Sequence, residues 1–150
     1  MRFDFRLEKL LKLKASQLQQ VKLELASVRY KIAEISSQIE TMRQMIEDLW
    51  VAFQNTAQKG MSGKDMFLWR LHIDAKVNDL NSKQEELQQM LREEERLRQE
   101  YLETRKDLKI IENLKQRQLQ RFQVELHRKN KLYLDEIAIR KYIRDKEVEQ

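Results

Sequence analysis

The sequence predicts an all-α protein: two long helices forming an antiparallel coiled-coil hairpin with a protruding C-terminal helix. Three observations carry this. Proline is absent, and the only glycines, Gly60 and Gly63, lie close together. Apolar residues recur at alternating steps of four and three along the first part of the chain. Folding the chain back at the glycines then sets apolar residues level with apolar residues in a single register.

Proline and glycine are the residues a helix interior tolerates least, and turns normally draw on both. With one glycine pair there is room for one turn, and the 150 residues form a single hairpin. Charged residues make up 37% and aromatics 7% of the chain. Without a regular apolar repeat this composition would point to disorder; with one, it points to a coiled coil. Two helices share a seam rather than a thick core, which leaves no room for a pocket enclosing a small substrate.

The first helix is expected over about residues 3–58. From Leu7, steps of four and three give Leu11, Lys14, Leu18, Val21, Leu25, Val28, Ile32, Ile35, Ile39, Met42, Ile46, Leu49 and Phe53, and only Lys14 is not apolar. This is the a/d pattern of a left-handed coiled coil. A turn follows at about 59–63, where Gly60 can take the left-handed conformation that ends a helix. Ser62 and Asp65 have the spacing of a capping box and open the second helix, over about 64–147. Its stripe is less regular: Trp69, Ile73, Val77, Leu80, Leu87, Leu91, Leu97, Tyr101, Leu108, Ile111 and Leu114. Glu94–Arg98, Glu125–Lys129 and Glu136–Arg140 have the favourable i,i+4 order on exposed faces.

In an antiparallel hairpin, residues at one level have position numbers of constant sum. A sum of 122 pairs Phe53 with Trp69, Leu49 with Ile73, Met42 with Leu80, Ile35 with Leu87, Leu25 with Leu97, Val21 with Tyr101 and Leu11 with Ile111. Val28–Glu94 and Lys14–Leu108 are mismatches, where the charged stems are expected to snorkel. The first helix runs out at about residue 119, so the second should overhang from about 120, roughly 30 residues or about 45 Å of helix. Leu119, Phe122, Leu126, Tyr133 and Ile137 continue a helical stripe there, with Lys115, Arg117, Arg121, Arg128, Lys129 and Lys131 around its first half. An apolar stripe without an intramolecular partner is expected to be a binding face.

Other signals favour plain structural readings. Asp135 and Glu136 are adjacent, so they point about 100° apart on a helix, and a solvated or partner-facing pair is favoured over a catalytic one. His72 and His127 lack a ligand at metal spacing. Met42 belongs to the seam, while Met45 is open between packing and partner contact. Trp69 is expected to close the seam below the turn. The basic run could face nucleic acid or an acidic protein surface. With a net charge of +5 and no nucleic-acid motif, protein is favoured. Cysteine is absent, which removes disulfides and thiolate metal sites and fits a reducing compartment. No apolar run approaches the ~18 residues that cross a bilayer, and MRFDFRLEKL lacks a signal-peptide apolar core. The expectation is a soluble cytoplasmic protein, not an enzyme, with no cofactor.

The opening FDFRLEKLLKLK, residues 3–14, resembles the start of the FliJ family, coiled-coil proteins of the bacterial flagellar export apparatus. The segment KLYLDEIAIRKY, residues 131–142, is similar to that family's C-terminal motif, and two helices around a short glycine-containing turn match its plan over essentially the whole chain. The resemblance implies a non-enzymatic stalk and escort protein. Such a protein binds and activates the hexameric export ATPase, and links it to the cytoplasmic domain of the membrane export gate and to export chaperones. It would lie in the bacterial cytoplasm, peripheral to the inner membrane, with no direct membrane insertion. It also implies ATPase contact by Phe3, Phe5 and Leu7 and by Asp135, Glu136, Ala138 and Arg140; the stripe residues Leu119, Phe122 and Leu126 join this candidate surface. For the gate it implies the half of the hairpin next to the turn: Gln38, Met42, Met45, Leu49, Trp69, His72, Ile73 and Lys76. The rivals are a stalk protein of virulence type III secretion, a generic coiled-coil tether, and a nucleic-acid-binding rod built on the basic run.

Overall fold

The computed structural model describes residues 2–149, and these form two helices, α1 (Glu8–Gln58) and α2 (Gly63–Val148). The helices pack against each other as a hairpin, with no strand among the described residues. The chain divides into two compact units. One is Leu18–Leu102, which holds the turn; the other combines Met1–Gln17 with Glu103–Gln150.

The α1 seam is the one expected. Every residue of the series from Leu7 to Phe53 is buried or half-buried, and beyond that series only Glu8, Ala52 and Ala57 of α1 escape full exposure. Val21, Leu25, Ile35 and Ile39 are its most enclosed members. Lys14, the polar exception, is tolerated because its stem lies in the seam while Nζ reaches Asp107 Oδ2 at 3.5 Å.

In α2 the seam follows a slightly different line. Leu91 and Leu114 are exposed, while Met90, Thr104 and Lys115 are enclosed to varying degrees. From Leu87 the buried positions step through Met90, Glu94, Leu97, Tyr101, Thr104, Leu108, Ile111 and Lys115, alternating three and four. Leu91 and Leu114 each sit one residue off that path, about 100° around the helix. Phase, not hydrophobicity, decides which residues are covered. In the turn-bearing unit the Phe53 and Trp69 rings lie 6.1 Å apart between centroids, so the level pairing expected at the end of the seam is present. Trp50 adds an edge-on contact to Phe53 at 5.9 Å.

The turn has the chemistry read from its residues. Gly60 has φ of +100°, a region costly for a residue with a Cβ. Its N–H donates to the Ala57 carbonyl at 3.2 Å, tightening the end of α1. The Asp65 N–H donates to Ser62 Oγ at 3.2 Å, which satisfies one of the free donors at the start of α2.

Two expectations need correction. Helix α1 starts at Glu8, not near residue 3, and residues 2–7 are non-helical. The expected Glu94–Arg98, Glu125–Lys129 and Glu136–Arg140 pairs are not among the ion pairs of the described residues, which within α2 are i,i+3 except for Arg96–Glu100 at 3.4 Å. Arg98 donates to Glu95 through Nε and Nη2, both at 3.0 Å, and Arg128 donates to Glu125 at 3.2 and 2.7 Å. The planar guanidinium fork can engage both carboxylate oxygens one turn back, a bidentate geometry that a lysine at i,i+4 cannot match.

Candidate partner-binding faces

The non-helical opening has an alternation of its own. Phe3 is half-buried, Phe5 buried and Leu7 half-buried, while Arg2, Asp4 and Arg6 between them are exposed. Period two is the signature of extended chain, in which alternate side chains share one side. The pattern Phe-Asp-Phe was visible in the sequence and fits an extended arm over residues 2–5. Arg6 and Leu7 form a turn, closed by the Glu8 N–H donating to the Phe5 carbonyl at 3.1 Å, that leads into α1. An arm advances about 3.3 Å per residue against 1.5 Å in a helix, so it covers more of α2 than a helix of equal length.

This arm packs on the unit's own α2. The Phe3 ring lies 5.5 Å from that of Phe122, and Phe5 is 5% exposed. At the junction with α1, Lys115 Nζ sits 2.8 Å from Glu8 Oε2. That carboxylate also lies in the first turn of α1, where the helix dipole favours a negative charge. Half-buried positions on α2 therefore continue through Leu119, Phe122 and Leu126, past the level of about 120 at which an uncovered stretch was expected. Of the suspected ATPase-contact residues, Phe5 is committed to intramolecular packing, and Phe3, Leu7, Leu119, Phe122 and Leu126 are partly so.

From Arg128 to Glu149 every described residue is exposed. Leu132, Tyr133, Leu134, Ile137, Ile139, Tyr142 and Ile143 are all large apolar residues open to solvent in this stretch. Asp135, Glu136, Ala138 and Arg140 are exposed among them. The basic run is partly neutralised: Lys115 is taken by Glu8 and Arg128 by Glu125. The Arg128 hydrogen bond holds the Glu125 carboxyl below its usual range and raises the guanidinium in return.

Near the turn, the suspected gate residues separate by exposure. Gln38, Met45 and His72 are exposed; Met42, Leu49, Trp69 and Lys76 are half-buried in or beside the seam. Ile73 is 1% exposed and has no surface to offer. Among the described residues no group of His, Cys, Asp or Glu is placed to hold a metal ion, and no helix is long and apolar enough to cross a membrane.

Fold and faces together define a coiled-coil hairpin protein whose exposed chemistry is apolar and charged helix surface. The family model described as Flagellar FliJ protein matches residues 3–147, and the chain belongs to the FliJ family, components of the flagellar export apparatus. No curated protein and no solved structure matches it.

Proposed function

We propose that this chain is the stalk and escort protein of its export apparatus. It binds and activates the hexameric export ATPase, and connects that ring to the membrane export gate and to export chaperones. The observation that supports this reading is the stretch of α2 beyond His127, helical to Val148 and exposed throughout, which holds the family-like segment from Lys131 to Tyr142. An amphipathic or all-round apolar helix that its own chain leaves uncovered is suited to lie against a partner.

The mechanism is allosteric. One asymmetric helix inside a ring of identical subunits meets each in a different way, and so favours different conformational states around the ring. The chain supplies no catalytic group. The ATPase contact is assigned to Leu134, Ile137, Ala138 and their neighbours Asp135, Glu136 and Arg140, with the arm from Phe3 to Leu7 shaping the surface next to them. Gate contact is assigned to the accessible residues near the turn, Gln38, Met45 and His72, with Lys76 beside them. Titrating the purified chain into the purified export ATPase tests the reading. Turnover should rise to a plateau at stoichiometric occupancy of the ring, and unchanged turnover at saturating chain would exclude the activating role.

A further inference from the structure

We propose that the outward face at the start of α2 is a self-association surface, and that its occupant is the same face of a second copy of this chain, docked antiparallel. Trp69 and Ile73 turn toward α1. At 100° per residue, Lys64, Phe67, Leu71 and Asp74 all lie within about 40° of the direction opposite Trp69. They look away from the hairpin seam. Phe67 is 63% exposed and Leu71 50%, and Lys64 and Asp74 are exposed above and below them. The steps between these residues are three, four and three, a short second coiled-coil stripe on the back of a helix that already has one.

Isolated exposed apolar residues are ordinary, so the charges decide what covers this stripe. Along the helix the order is lysine, phenylalanine, leucine, aspartate. A second copy running antiparallel, with the two-fold axis at the level of Trp69, sets Phe67 against Leu71 of the other copy and Lys64 against its Asp74. Symmetry makes each contact twice. A parallel copy would oppose lysine to lysine and aspartate to aspartate, and shifting the antiparallel copy by one turn would leave apolar residues facing charge. Neither Lys64 nor Asp74 has an ion-pair partner among the described residues. The face is thus complementary to itself in one orientation and one register. It spans only about three helical turns, less than a standard stable interface, so the dimer is weak and depends on concentration. This surface is independent of the ATPase reading and would be present whether or not the chain activates an ATPase.

Sedimentation velocity of the full chain over a wide concentration range tests it. The expected result is a monomer that converts to dimer as concentration rises. Phe67→Ser, whose side chain is exposed and outside the seam, should raise the midpoint by at least about tenfold with unchanged helix content. Lys64→Asp and Asp74→Lys should each weaken the dimer at low salt by like-charge opposition, and the chain carrying both should recover. A chain that stays monomeric at every concentration, a dimer indifferent to Phe67→Ser, or a double charge swap that fails to recover would each overturn the proposal.

Discussion

The Phe3 ring stacks obliquely on Phe122, 5.5 Å between centroids and 52° between planes, although the two lie at opposite ends of the sequence. The contact shows how the open edge of the hairpin is finished. An extended arm with alternating apolar residues lies where a helical turn would otherwise fray, and Phe5 beside it is buried.

The arm should contribute measurable stability. A double-mutant cycle on Phe3→Ala and Phe122→Ala is expected to give a coupling of about 0.5–1.5 kcal/mol, the range for aromatic pairs. Phe5→Ala should cost more than either single change, about 3 kcal/mol, because it leaves a cavity at an enclosed position. Urea unfolding followed by circular dichroism reads all three; zero coupling would mean the arm is detached in solution.

The seam of the turn-bearing unit gives a sharper contrast. Ile35 is 6% exposed, and Ile35→Asp would set a charge in the seam without a partner, at a cost of several kcal/mol. Ser37→Asp, on the exposed side of the same helix, should change stability by less than about 0.5 kcal/mol. Equal midpoints for the two variants would place the seam on the wrong face.

Register is testable by covalent capture. Val21 and Tyr101 are level in the register read from the sequence, and Tyr101 borders a groove with Leu25 and Arg98 in the same unit. The pair Val21→Cys and Tyr101→Cys should oxidise within one chain at low concentration. Crosslinks found only between chains would replace the hairpin with an intermolecular coiled coil.

Acid affects the exposed pairs in a defined direction. Hydrogen bonds from Arg98, and then from Gln99, hold the Glu95 carboxyl at about 2. Its folded value lies below that of the unfolded chain, so its small stabilisation is present above pH ~4.3. That contribution is lost as pH falls through the interval down to about 2. Arg98→Gln should raise the Glu95 value toward the ordinary glutamate range in a carbon-13 NMR titration, with the Gln99 hydrogen bond still lowering it, and with a barely altered melting temperature because the pair is solvent-exposed. A Glu95 titration unmoved by the substitution would rule out Arg98 as the cause.

The α1 seam was legible residue by residue because its apolar series is long and uninterrupted apart from Lys14. The turn was legible from Gly60, Ser62 and Asp65, whose side-chain and backbone chemistry is local. The α2 seam was less so. Thr104 and Glu94 occupy seam positions without being apolar, and Leu91 and Leu114 are apolar without occupying them, so choosing residues by hydrophobicity shifts the phase. The arm was missed because the first helix was expected from about residue 3, although its four–three series begins only at Leu7 and Phe3 and Phe5 stand two apart. The candidate site was legible only as segments. Phe5 and Ile73 carry the apolar character of contact residues and prove to be buried in their own units. An apolar residue on a coiled coil looks the same in sequence whether its partner is its own chain or another.

The central claim is that the exposed end of α2 carries activation of the export ATPase. Deleting residues 131–150 removes no seam residue among those described, since every one from 131 to 149 is exposed. The truncated chain should keep the helical circular dichroism signal of its remaining residues and the cooperative melt of the full chain. Steady-state ATP turnover by the purified export ATPase, measured against increasing truncated chain, is the most direct measurement. Turnover is expected to stay at the level of the ATPase alone, while the full chain raises it. Full activation by the truncated chain would contradict the account and place the activating contact elsewhere on the molecule.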